Sequence, residues 1–356
     1  MIAEALDAWW AWIAPVSSQA GFVLACAALF DRAFARRAWP ALLATAWWLG
    51  LVRLVLPPEL GSPVSVTQSL GSALECTASA PPSATTAVLF ALWIAGACTT
   101  LGLRTLARAR LKRRCECADG LSSAWRALIA ESARSAGLRR APAVAIVARL
   151  ESPAVCGAWR ARLLLPRRAL SHPPRAAERH ALLHEMLHIA RRDLLADELC
   201  ALLCAVFWFH PLVWLAARRV HVASELGCDR AVARSLGTAD DYRETLLDAT
   251  QRWLEPPMHH VRAFLGGPAG IVLRLEHLDR ASVRPAWLGR AASALLFALV
   301  AACVLPMAPL VDPLRAQAEQ VFALERRGEL QSCFALQAAA QVLAAGSPST
   351  PTQASR

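Results

Sequence analysis

From Ala8 to Phe30 the chain carries no charged residue, and three more apolar stretches follow at Ala38 to Leu56, Ala84 to Leu103 and Ala291 to Val311. A helix needs about 20 apolar residues to cross a bilayer, so each stretch predicts a transmembrane helix. Arg53 interrupts the second near its end, where a long side chain can snorkel to the interface. Pro306 and Pro309 lie near the exit of the fourth. Glu4 and Asp7 stand where a signal peptide would carry basic residues, and a second apolar stretch follows quickly, so the first helix is expected to be retained.

The charges between these stretches give an orientation. Arg32, Arg36 and Arg37 follow the first, and Arg104, Arg108, Arg110, Lys112, Arg113 and Arg114 follow the third. Arg280, Arg284 and Arg290 precede the fourth, whereas Pro57 to Ser83 holds Glu59 and Glu75 but no Lys or Arg. Positive loops stay inside, which predicts a cell inner (cytoplasmic) membrane protein with four spans and both termini extracytoplasmic. The expected organisation is a three-span region at 1–104, a cytoplasmic domain at 105–290, a fourth span at 291–311 and a short extracytoplasmic tail at 312–356.

Composition agrees with that division. Of 356 residues 56% are hydrophobic and only 18% charged, with a mean hydropathy of +0.37, between a soluble enzyme and a pure membrane bundle. The net charge of +11 raises nucleic acid as a partner, but the arginines cluster beside apolar spans, so no direct nucleic-acid binding is expected. The eleven cysteines make no metal or disulfide framework; only Cys76 and Cys333 fall on the expected outer side, where a bridge between them would have thin support.

Between the third and fourth spans the pattern shortens. Leu121 to Gly137 reads as a helix ending at glycine, and Ala141 to Ala148, Ser152 to Cys156 and Arg162 to Leu165 read as short strands broken by Gly157 and closed by Pro166. An edge strand there can take an extended peptide. Arg175 to Asp193 reads as a helix carrying His184-Glu185-Met186-Leu187-His188. Residues four apart share a helix face, so both imidazoles can meet one metal ion while Glu185 points at its water, the arrangement of a zinc hydrolase. His180 shares that face and is expected to be supporting or structural. Leu194 to Ala217 is nearly uncharged and broken by His210-Pro211, which predicts a buried hairpin or a re-entrant segment. The next helix sets His221, Glu225 and Asp229 at four-residue spacing. His259-His260 lies in a Pro/Gly-containing loop and is expected to be solvated.

The runs H-E-M-L-H-I-A-R-R-D, F-H-P-L-V-W and E-L-G-C-D-R-A-V, with Gly157 to Pro166 before them, resemble the BlaR/MecR-type membrane zinc metallopeptidases over about Ala8 to Leu310. The resemblance implies a mainly α, multi-pass protein with an embedded gluzincin-like α+β zinc metallopeptidase domain facing the cytoplasm. It implies His184, His188 and Glu225 as Zn2+ ligands, Glu185 as catalytic base, and Asp229 as the carboxylate behind a ligand. It also implies a cytoplasmic protein substrate, a transcriptional repressor. Asp197 departs from the Asn often found there. The β-lactam-sensing members carry an S-x-x-K nucleophile in a C-terminal domain; the only lysine here is Lys112, so no β-lactam acylation by that chemistry is expected. A gluzincin needs a donor for the oxyanion, and His210 and His221 are the candidates. The competing reading is a catalytically silent scaffold that signals by protein contact; a purely structural membrane protein is a third, and it predicts no stoichiometric zinc.

Overall fold

A computed structural model describes residues 2–57, 83–148, 150, 152–236, 241–247, 268–279 and 286–303. The predicted outer loop (from residue 58), the loop with His259-His260, the exit of the fourth stretch, the tail at 312–356, Cys76 and Cys333 lie outside the described residues.

Helix α1 (Ile2–Phe34) turns through 35–39 into α2 (Pro40–Arg53), whose proline at the start needs no amide partner. Gly50 makes that packing close, since a Cβ there would run into the Leu24 side chain. α3 (Ser83–Arg113) is apolar and poorly covered, with Val88, Leu92 and Leu103 more than half exposed, as expected of a helix that faces lipid. Among the described residues α1 and α3 are the helices long and apolar enough to cross a membrane. The expected span at 38–56 departs from prediction. Its helix has 14 residues, about 21 Å at 1.5 Å per residue, against a hydrocarbon core of about 30 Å, and Leu43, Trp47, Leu49 and Leu51 are buried in protein.

The middle of the chain builds a small sheet from β1 (Cys115–Glu116), β2 (Ala143–Val147), β3 (Ala154–Cys156) and β4 (Arg162–Pro166), in the order β1-β2-β4-β3. β2 and β4 are parallel; β3 and β4 are antiparallel, which leaves β3 at the edge. Gly157 takes φ 92° at the turn between them, where a Cβ would stand 2.6 Å from the Arg160 carbonyl oxygen. Period-two alternation sends Ile146, Leu163 and Leu165 to one face. There they meet Trp125 and Ile129 of α4 (Ser123–Ser135) and Leu182 and Met186 of α5 (Ala176–Arg191). Trp125 is 1% exposed and its Nε1 donates to the His172 carbonyl at 2.9 Å. Burying an indole removes about 150–250 Å² from water, worth on the order of 4–6 kcal/mol. This core fixes α5 against the sheet.

α5 starts with Glu178 accepting from the Arg175 amide at 2.7 Å. It stops at Arg192, in the left-handed region at φ 61°, and α6 (Asp193–Val206) begins immediately. α6 runs back along α3. Glu198 meets Arg104 at 2.7 Å and contacts Arg108, while near the tip Trp93 Nε1 donates to the Val206 carbonyl at 2.7 Å. Glu198 and Val206 are eight residues apart, so the tip reaches about 12 Å beyond the charged ring. The predicted hairpin is present: α7 (Pro211–Leu236) returns from the tip, its first half in one core with α1, α2 and α6, its second half against α5. α8 (Pro268–Asp279) packs on α7, and α9 (Ala286–Cys303) packs on α2.

Candidate metal centre

Two helices meet at one point. α5 brings His184 and His188, one turn apart; α7 brings Glu225 across from them. His184 Nε2 lies 3.0 Å from His188 Nε2, and Glu225 places Oε2 3.5 Å from the first and Oε1 3.2 Å from the second. Both histidines are 8% exposed.

The outer nitrogens explain why the inner ones face each other. His188 Nδ1 meets Asp193 Oδ2 at 2.9 Å; a carboxylate only accepts, so Nδ1 carries the proton and Nε2 a lone pair. His184 Nδ1 lies 3.3 Å from Asp229 Oδ1 and 3.0 Å from Tyr242 Oη, while Tyr242 donates to Asp229 at 2.7 Å. Two lone pairs and a carboxylate therefore converge, an arrangement that repels itself without a cation. Zinc bonds of about 2.0–2.2 Å put neighbouring tetrahedral ligand atoms about 3.3–3.5 Å apart, close to the three separations here. The donor set fits Zn2+.

Charges around the trio favour a cation. Arg274 of α8 forks onto Asp229, with Nε 2.6 Å from Oδ2 and Nη2 2.7 Å from Oδ1, and its Nη1 reaches Glu225 Oε2 at 3.0 Å. Burial would raise the Asp229 carboxyl, but Arg274 and the His184 hydrogen bond outweigh it and hold it at about 2. Glu225 is likewise held well below the carboxylate range, against its own burial, by both histidines and Arg274. Burial disfavours charge on His184, yet hydrogen bonds to Asp229 and Glu225 carry it up to about 9. These shifts measure how strongly the pocket favours positive charge. Cys228 lies 3.4 Å from both His188 Nδ1 and Asp193 Oδ2, and burial pushes its thiol up to about 11, so it serves as a neutral donor behind His188.

Glu185 differs from the other carboxylates. Burial pushes its pKa up, against the pull of the two histidines, as suits a group that must accept and return a proton. The Val155 amide of β3 helps to lower that pKa, and α5 packs on β3, so the edge strand runs beside Glu185. The sequence-predicted residues divide on the oxyanion donor. His221 belongs to the cluster, with Nδ1 3.6 Å from Asp197 and Nε2 4.0 Å from Glu225. His210 does not. Its Nε2 lies 3.2 Å from the Ser17 carbonyl of α1, and fifteen residues of α7 put it about 20 Å from Glu225. His180 packs edge-on against Tyr242 and meets Thr245 Oγ1 at 2.8 Å, outside the trio.

Residues 62–276 match the family model of BlaR1 peptidase M56, well over half the chain. The chain belongs to the BlaR1 peptidase M56 family. That membership supports a membrane signal-transducing metallopeptidase, and it places the trio inside the matched region. Among relatives, the regulatory protein BlaR1 of Bacillus licheniformis is 29% identical over 181 residues, covering 49% of this chain and 29% of that protein. The methicillin resistance mecR1 proteins of Staphylococcus aureus and Staphylococcus epidermidis are each 24% identical over 94 residues, 26% of this chain and 16% of theirs. The matched part thus spans less than a third of these relatives' length. Tyr242, Asp193, Cys228 and Arg274 escaped the sequence reading. A signal existed for Tyr242, the single tyrosine of the chain, and for Asp193, five residues after His188; Arg274 sits in an ordinary apolar helix with no motif around it.

Proposed function

We propose that this M56 member is a membrane-integral zinc endopeptidase that cleaves a cytoplasmic protein. The observation that carries the reading is the convergence of two imidazole lone pairs and a buried carboxylate beside a second carboxylate, Glu185, whose charge burial disfavours. His184, His188 and Glu225 would hold Zn2+. When bound, the ion supplies a Lewis acid for the peptide carbonyl and makes water acidic enough to attack near neutral pH. Glu185 takes the proton of the attacking water and delivers it to the leaving amine as the C–N bond breaks. Asp193 and Cys228 hold His188 in its Nδ1–H form, and Asp229 with Tyr242 does the same for His184. His221, held by Asp197 and 4.0 Å from Glu225, stabilises the developing oxyanion. An extended substrate adds to the outer edge of β3, beside Glu185.

The arginines after α1 and at the end of α3 favour a cytoplasmic active site in the inner membrane. A transcriptional repressor is the proposed substrate, in keeping with relatives named as regulatory and resistance proteins. The test is the cytoplasmic proteome of cells expressing the wild type or Glu185→Gln. Fragments of a DNA-binding protein present only with the wild type support the reading; identical proteomes with a signalling output that survives Glu185→Gln favour a scaffold.

A further inference from the structure

The turn joining α6 to α7 touches both helices that are long and apolar enough to cross a membrane. On one side the Trp208 indole lies against Gly96 of α3, where any Cβ would run into the ring. On the other His210 sits at Gly21 of α1, where a Cβ would stand 3.2 Å from its Nε2, and that nitrogen meets the Ser17 carbonyl. Small residues at such contacts let helices approach closely in lipid. Gly96 stands eight residues before Arg104 and Gly21 eleven before Arg32, about 12 and 16 Å along the two axes. Half of a hydrocarbon core of about 30 Å is about 15 Å. Measured from the arginines at the inner ends of α1 and α3, both contacts put the tip near the bilayer midplane.

Lipid offers no hydrogen bonds, so irregular backbone at that depth must find its partners in protein. The tip does so. The Phe207 and His210 amides donate to the Leu203 and Phe207 carbonyls at 2.8 and 2.9 Å. Trp93 Nε1 donates to the Val206 carbonyl at 2.7 Å and Trp214 Nε1 to the Trp208 carbonyl at 2.9 Å, while Trp208 Nε1 donates to the Trp93 carbonyl at 3.2 Å. No residue from 199 to 217 is charged. The outer face of the hairpin is nevertheless uncovered: Leu199, Leu202 and Phe209 are each more than two-fifths exposed. It adjoins α3, whose Val88 and Leu92 are more than half exposed, so the two make one apolar surface.

We propose that the α6–α7 hairpin is re-entrant, entering the bilayer from the side of the metal trio to about its midplane, with Leu199, Leu202 and Phe209 against acyl chains. This rests on α1 and α3 crossing the bilayer and not on the peptidase reading. Glu225 lies about 20 Å along α7 from the tip, so the hairpin holds the trio at the headgroup layer, and a protein substrate would be cut at the membrane surface.

The test is labelling of the purified full chain in phosphatidylcholine nanodiscs whose lipid carries a diazirine at the end of one acyl chain, with adducts mapped by mass spectrometry. The proposal expects label on Leu199, Leu202 and Phe209 as on Val88 and Leu92, and none on exposed Trp159 in the turn after β3. Label on α3 without label on the hairpin overturns the proposal, as when a second copy of the chain covers that face. Label on neither overturns the spanning of α3 and the hairpin with it. A pair of substitutions gives a second readout. Leu202→Asp sets a charge among acyl chains and should lower the unfolding midpoint in nanodiscs, whereas Leu247→Asp, at a leucine of similar exposure in 241–247, should leave it near wild type. Equal midpoints for these two variants contradict the lipid face.

Discussion

Replacing Asp193 with alanine removes the acceptor that holds His188 in its Nδ1–H form, the form proposed to bind zinc. The His188 Nδ1–Asp193 Oδ2 contact is 2.9 Å and buried, a charge-assisted bond worth about 1.5–3 kcal/mol. Without it nothing on that side but the weakly polar Cys228 thiol, 3.4 Å away, fixes which ring nitrogen carries the proton. Loss of a partner behind a ligand typically lowers metal affinity about 10- to 100-fold, which is about 1.4–2.8 kcal/mol and matches the hydrogen-bond estimate. Asp193 also opens α6, so a further ~0.3–1 kcal/mol of helix-end electrostatics is lost from stability, though not from affinity. Chelator competition on the purified chain measures zinc affinity, and thermal unfolding measures the stability part. Asp193→Asn, which keeps an acceptor oxygen, should fall between alanine and wild type. Unchanged zinc affinity in a well-folded Asp193→Ala protein would refute the tautomer argument.

Other consequences follow from the same geometry. His221→Asn should retain zinc and lose about 10²–10³ in kcat, whereas His210→Asn, bound to the Ser17 carbonyl far from the trio, should leave kcat near wild type; steady-state cleavage with metal analysis separates them. Tyr242→Phe removes a hydroxyl shared by His184 and Asp229 but leaves those two 3.3 Å apart, so chelator competition should show a smaller loss than Asp193→Ala. Gly157→Ala forces a side chain into φ 92° and against the Arg160 carbonyl; about 1–2 kcal/mol of backbone strain plus that clash should lower the unfolding midpoint and weaken cleavage by disturbing β3.

The elements that the sequence revealed are those set by local patterns. The α5 helix, the His184 and His188 pair on it and the three short strands follow from four-residue and two-residue periods that need no partner to be read. Span number was harder, because an apolar run reports hydrophobicity and not what it is buried against: α2 is apolar because it packs among α1, α7 and α9. The support of the metal site was least legible. Arg274 lies 49 residues after Glu225 and Tyr242 lies 58 after His184, and only the folded chain brings their hydrogen bonds together. His210 shows the reverse case, a histidine in a family-like run that tertiary structure places against α1.

The most direct test of the central claim is metal content by mass spectrometry of the purified wild type, Glu185→Gln and Glu225→Ala. One zinc per chain in the first two, with most of it lost from the third, is the predicted result. No zinc in the wild type, or full zinc in Glu225→Ala, would contradict the ligand set.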